Sequence, residues 1–196
     1  MAKYPDYRVT LVGHSLGGAV AALASIEFKA RGWDPQVTTF GEPRVGNRAM
    51  SEYIDKQFSL TRQDDARLLY RRVTHIGDPV PLLPLEEWGY RMHAGEIFIS
   101  KPHLRPTPSD VHYCTGDEDP ACIAGSNVAQ LMQATNLGEQ DQQYLQFGTQ
   151  QSWKMPPRNR LWELFFAHRD YFWRLGLCVP GGDPSDWWRE NYPRNI

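Results

Sequence analysis

Residues 9–22 read VTLVGHSLGGAVAA, and the fold turns on how this stretch is interpreted. Residues 7–12 are a β-branched and apolar run, expected to form a strand buried on both faces. Residues 16–30 read as helix. Leu16, Ala19, Val20, Leu23 and Glu27 mark the 3.6 period, and Gly32 stands where a helix stops. Between strand and helix lies Ser15, within the G-x-S-x-G pattern GHSLG. The pentapeptide alone is weak, but a strand before it and a helix after it are the context the motif requires. A serine at such a sharp, strained turn projects its Oγ from the end of the sheet. Gly13 and Gly17 are expected to remove side chains that would strike the neighbouring turn and strand. The Leu16 N–H, at the helix start, is the candidate oxyanion donor. The alternative is a phosphate-binding or purely structural glycine turn. Neither a Walker lysine nor G-x-G-x-x-G accompanies the motif.

The chain of 196 residues is 41% hydrophobic, enough for one domain with a substantial core. With 21 basic and 23 acidic residues its net charge is -2, which gives no reason to expect nucleic acid or an anionic membrane as partner. No apolar run reaches the ~20 residues of a membrane span. The opening MAKYPDYR lacks the apolar core of a secretory signal.

Past the elbow, residues 36–40 read as a second strand and GEPRVGN as turns. Asn47 is placed to cap a helix running to about Phe58. Residues 68–75 read as a third strand, ending at GDPVPLLP, where proline bars helix and central strand alike. YRMHAGEIFIS resembles a hairpin with residues 96–100 as its second arm. Strands alternating with helices argue for a mostly parallel α/β sheet with flanking helices. From about Lys101 the pattern dissolves. Residues 128–160 look like a glutamine-rich insertion, the end is densely aromatic, and 181–196 form an unassigned tail.

A nucleophilic serine needs a base, and the base needs an orienting acid. In sheets of this kind the chain order is Ser, then Asp or Glu, then His. Asp78 follows a strand's carboxyl end, the side where such sheets place their sites, although an Asp before Pro79 is also an ordinary turn residue. Asp64 and Asp65 precede their strand. Downstream histidines are His93, His103, His112 and His168, and spacing does not choose among them. His168, in FFAHRDYFW, is wrapped in aromatics, as a structural histidine would also be. Cys114 and Cys122 stand eight apart and read equally as a disulfide or as two thiols. A zinc site lacks a second ligand pair. Cys178 has no evident partner.

Four ordered segments resemble the fungal-type class 3 lipases, a family of triacylglycerol lipases and related feruloyl esterases: YPDYRVTLVGHSLGGAVAALA, TFGEPRVGNRAMSEYI, YRRVTHIGDPVPLLP and EEWGYRMHAGEIFI. The likeness resumes at AHRDYFWRLGLC, and CTGDEDPAC resembles the feruloyl-esterase branch. The resemblance implies the C-terminal part of an α/β-hydrolase fold over residues 1–180, without the family's N-terminal strands and lid. It implies Ser15 as nucleophile, Asp78 as acid, His168 as base and Leu16 as oxyanion donor. It also implies a Cys114–Cys122 disulfide, no metal or organic cofactor, and an extracellular location.

Only eight residues precede Val9, where the family has several strands, a lid helix and a second oxyanion donor. The expectation is an incomplete gene model, with the edge of the first strand unpaired and one oxyanion donor missing, a loss of ~10²–10³ in turnover. The expected function is lipase-type ester hydrolysis on acylglycerols, with transient contact to a lipid interface. Val80, Leu82 and Leu83 are expected either to line an acyl pocket or to pack in the core. The alternatives are a feruloyl-type esterase and an inactive interaction module built on the aromatic C-terminus.

Overall fold

The computed structural model describes residues 7–60, 69–125 and 167–175. The elements are β1 (Thr10–His14), α1 (Leu16–Ala30), β2 (Gln36–Phe40), β3 (Gly46–Asn47), α2 (Arg48–Phe58), β4 (Tyr70–His75), β5 (Tyr90–Arg91), β6 (Glu96–Ile99) and β7 (Val111–Tyr113). Five strands form one sheet in the order β1-β2-β4-β6-β7, with the first three pairings parallel and the last antiparallel. Helix α1 lies in the crossover from β1 to β2 and α2 in that from β2 to β4, while the connection from β4 to β6 runs through short 3-10 turns and β5. No helix among the described residues is long and apolar enough to cross a membrane.

The local signals explain most boundaries. Gly32 ends α1 with φ 77, a conformation that costs glycine little. Asn47 caps α2 through its Oδ1, which accepts from Met50 N at 3.1 Å. The register then sorts side chains by face. Leu11, Val37 and Tyr70 are paired neighbours on one face, and they meet Ala22 of α1 and Ile54 and Phe58 of α2 in a shared core. Phe40, Val73, Ile97 and Ile99 occupy the opposite face, where Tyr171 packs on them. Ile54 is fully buried, so truncating it to alanine should cost about 2–5 kcal/mol.

The helix face of the sheet also carries buried polar groups, all of them partnered. Glu42 accepts from Thr39 Oγ1 at 2.6 Å and Tyr70 Oη at 2.8 Å, and its Oε1 lies 3.0 Å from His93 Nε2. Burial opposes the charge on Glu42. His93, Thr39 and Tyr70 outweigh it and hold the carboxyl below its ordinary pKa. Arg72 and Glu96, both buried, pair at 3.0 Å, and Ile123 N–H donates to the same carboxylate at 3.1 Å. These networks join β4 to β6 and to the turn beyond them.

The structure adds to or departs from the sequence reading at three places. The first strand is not buried on both faces: β1 is an outer strand of the described sheet, and Val12 is 65% exposed. The apolar stripe of α1 does not face the sheet. Leu16 (73%), Val20 (60%) and Leu23 (47%) are exposed, while Gly18, Ala21, Ala22 and Ser25 are buried. Small residues let the helix axis approach the strands closely, so the sheet takes the small face. Residues 90–100 are not a hairpin. β5 pairs antiparallel with β3, whereas β6, buried throughout, pairs parallel with β4. An all-buried strand belongs inside a sheet rather than in a two-stranded arm. The third strand begins at Tyr70, with 61–68 outside the described residues. Residues 128–160, Cys178 and the tail at 181–196 also lie outside them.

Candidate active site

The elbow forms where the sequence places it. Ser15 sits between β1 and α1 at φ 57, ψ -132, a conformation costly for a side-chain-bearing residue. Its N–H donates to Phe40 O at 2.9 Å, tying the turn to the end of β2. A Cβ on Gly13 would fall 2.2 Å from Gly17 O, so only glycine fits there. The second expected glycine is corrected: nothing lies within 4 Å of a Cβ on Gly17, and Gly18 is the close one, 3.2 Å from Glu42 Cβ. The residue that must be small is the one facing the strand beneath. Leu16 opens α1, so its N–H belongs to the first turn, which has no carbonyl partner within the helix.

Asp78 is completely buried, three residues beyond β4. Its Oδ1 accepts from Val80 N at 2.9 Å. Its Oδ2 lies 2.9 Å from His168 Nδ1 and accepts from Tyr171 Oη at 2.6 Å. The Tyr171 phenol is pushed well above its ordinary pKa, by burial first and by the Asp78 charge next, so it remains a donor. Tyr171 was missed by sequence reasoning. Its signal was a tyrosine three residues after the candidate base, in a segment dense with aromatics.

His168 is buried, and its ring passes close over the end of β2. A Cβ on Gly41 would lie 2.7 Å from His168 Cε1 and 2.7 Å from Tyr171 Oη. Gly41 has φ 57, so space and backbone both require glycine. His168 Nε2 is buried without a hydrogen-bond partner, so no hydrogen bond joins it to Ser15 in this structure. The structure therefore brings Asp78 and His168 together beside the elbow and leaves the third link open.

The other candidates separate cleanly. His93 is the buried partner of Glu42, and His103 and His112 are exposed. Leu82 packs with Met92, Phe98, Cys122 and Ile123 in a core cluster, while Leu83 is exposed. Arg44 gathers the loop after Asp78, donating through Nη1 to Leu82 O at 2.7 Å and Pro84 O at 2.9 Å, and pairing with Glu86 at 2.8 Å. Cys114 and Cys122 form a disulfide with Cα atoms 6.2 Å apart.

The parallel sheet, its flanking helices and the strained serine turn define part of an α/β-hydrolase fold. Residues 1–88 match the family model Lipase (class 3). The chain is 51% identical over 199 residues to the secreted mono- and diacylglycerol lipase 2 of Gibberella zeae, covering 97% of this chain and 48% of that protein. It is 54% identical over 198 residues to lipase A of Sodiomyces alcalophilus, covering 96% of this chain and 47% of that one. The crystal structure of the Lip2 lipase from Yarrowia lipolytica superposes with a TM-score of 0.68 at 32% identity, over 91% of this chain and 51% of that one. Over the residues these likenesses cover, the chain belongs to the fungal class 3 lipases. It spans about half the length of these relatives.

Proposed function

We propose that this chain carries the triad of a secreted, lipase-type serine ester hydrolase acting on acylglycerols. The observation that carries the reading is the buried Asp78–His168 pair, 2.9 Å apart, beside a serine held at a strained strand-to-helix turn. In this reading Asp78 accepts from His168 Nδ1–H and leaves Nε2 as the basic nitrogen. His168 Nε2 takes the Ser15 proton as Oγ attacks the ester carbonyl. The Leu16 N–H stabilises the oxyanion. Collapse of the intermediate expels the alcohol, which takes its proton from His168. Water then repeats the sequence on the acyl-enzyme, releases the acid and restores Ser15. The Ser15–His168 hydrogen bond closes when substrate binds, as such bonds often tighten only in the complex.

The acylglycerol substrate and the extracellular location rest on the names of the relatives. The phenolic-ester alternative came from the resemblance of CTGDEDPAC to the feruloyl-esterase branch, and the names of the relatives do not support it. A fluorophosphonate probe tests the reaction class: labelling should occur and should vanish in Ser15→Ala. Labelling that survives Ser15→Ala, or a folded chain that takes no label, would overturn the reading. Faster turnover of tributyrin than of methyl ferulate supports the acylglycerol substrate, and the reverse order supports the phenolic ester.

A further inference from the structure

His14 closes β1 one residue before Ser15, and the triad reading gives it no role. The register puts it on the sheet face of Phe40, its paired neighbour, which is the face that Tyr171 covers. Its Nε2 lies 2.6 Å from the main-chain oxygen of His168. A carbonyl only accepts, so Nε2 carries the proton and donates. The two imidazole rings are 4.4 Å apart, centroid to centroid, and tilted by 33°. The ring of Tyr171 meets His14 edge-on at 6.1 Å.

His168 follows helical Ala167 and lies outside the five-stranded sheet. Its Nδ1 bond to Asp78 fixes one ring atom, and a single hydrogen bond does not by itself stop the ring from turning about that contact. A donor on the His168 carbonyl and an aromatic face against its ring remove this freedom. The donor is itself rigid: His14 is paired with Phe40 in the ladder, and the adjacent Ser15 N–H is bonded to Phe40 O. One dipeptide thus carries the candidate nucleophile and an anchor for the candidate base.

We propose that His14 is a positioning residue that sets the placement of the His168 ring through its Nε2–H and its ring face. The proposal rests on the reading of Ser15 and His168 given above. The groups facing His14 are His168, Asp78, Arg169 and Tyr171. Burial is the largest influence and lowers the His14 pKa from 6.5, while the bond to the His168 carbonyl and the Asp78 charge act in the other direction. His14 is therefore neutral at pH 7 and places no charge against the imidazolium that forms on His168 during acyl transfer.

The test compares His14→Gln, which keeps an N–H near the Nε2 position, with His14→Phe, which keeps a ring and loses the donor. Two readouts are taken on the whole chain. In ¹⁵N-histidine NMR, the low-field proton of His168 Nδ1–H should persist in wild type and His14→Gln, and should vanish or broaden in His14→Phe. With a fluorophosphonate, the maximal inactivation rate should fall by up to ~10²-fold in His14→Phe, with the half-saturating probe concentration unchanged. His14→Gln should restore most of the rate. If His14→Phe does not fold, His14→Asn, whose donor falls short of the carbonyl, takes its place. A His168 resonance unmoved by loss of the donor overturns the proposal, as does a folded His14→Gln that behaves like His14→Phe. If the resonance follows His14 while wild type takes no Ser15-dependent label, positioning stands and the hydrolase reading falls.

Discussion

Tyr171 Oη donates at 2.6 Å to Asp78 Oδ2, the same oxygen that meets His168 Nδ1. Oδ2 of Asp78, the candidate acid, is thus held by two residues three positions apart, and Oδ1 is held by Val80 N. Tyr171→Phe keeps the ring, which packs edge-on against Phe40 at 5.6 Å, and deletes only the hydroxyl. Losing a hydrogen bond to a buried carboxylate should cost about 1.5–3 kcal/mol of stability. Denaturant unfolding of the two chains measures it, and a variant as stable as wild type would contradict the role of this bond.

Gly41→Ala should be more harmful than its one added methyl suggests. The methyl would fall 2.7 Å from His168 Cε1 and 2.8 Å from Nδ1, on a backbone at φ 57. The left-handed conformation alone costs an alanine roughly 1–2 kcal/mol. The imidazole must also shift, so fluorophosphonate labelling of Ser15 should slow by on the order of 10²-fold. Gly17→Ala is the control: nothing lies within 4 Å of its added Cβ, so labelling should stay near wild type.

The Cys114–Cys122 disulfide closes a short loop, and removing it should cost about 2–3 kcal/mol by loop-closure entropy. The loss reaches the core, because Ile123 N–H donates to buried Glu96, the partner of Arg72. The double substitution Cys114→Ser and Cys122→Ser should lower the unfolding midpoint. Adding reductant to wild type should lower it by a similar amount and leave the double variant unchanged.

His75 is buried at the end of β4, with Nε2 donating to Lys101 O at 2.9 Å. Burial is the largest influence and lowers its pKa from 6.5, although the Lys101 bond and the Asp78 charge raise it. The unfolded chain therefore binds this proton more readily than the folded one. Stability is fully present above the unfolded value near 6.5 and falls as pH drops below it. The slope contributed by His75 is at most about 1.4 kcal/mol per pH unit. Unfolding free energies from pH 7.5 to 5.5 should decline less steeply in His75→Gln, with His14 supplying a remaining slope of the same sign.

Local physics was legible in the chain where a few adjacent residues decide the outcome. Proline and glycine punctuate GDPVPLLP and the end of α1, and Asn47 announces a helix by its own side chain. The strand at residues 36–40 was expected within its observed bounds. Asp78 stands out as a candidate acid because it follows a strand end. His168 could not be separated from His93, His103 and His112 by spacing, and only the family resemblance singles it out as the candidate base. Arg44 shows the same limit, because its grip on Leu82 and Pro84 lies some 38–40 residues away.

What the sequence by itself determined is the elbow: a strand, a strained serine that its flanking glycine permits, and a helix start, all within neighbouring residues governed by short-range sterics. Tertiary structure alone decided which face of α1 the sheet accepts, that Gly18 and Gly41 are the close contacts, and that Tyr171 and His14 surround the candidate base. The reason is physical. Each of those facts depends on which atoms a closed chain brings within a few ångströms, as when Asp78 meets His168 across 90 positions. Such contacts leave no periodicity in the sequence.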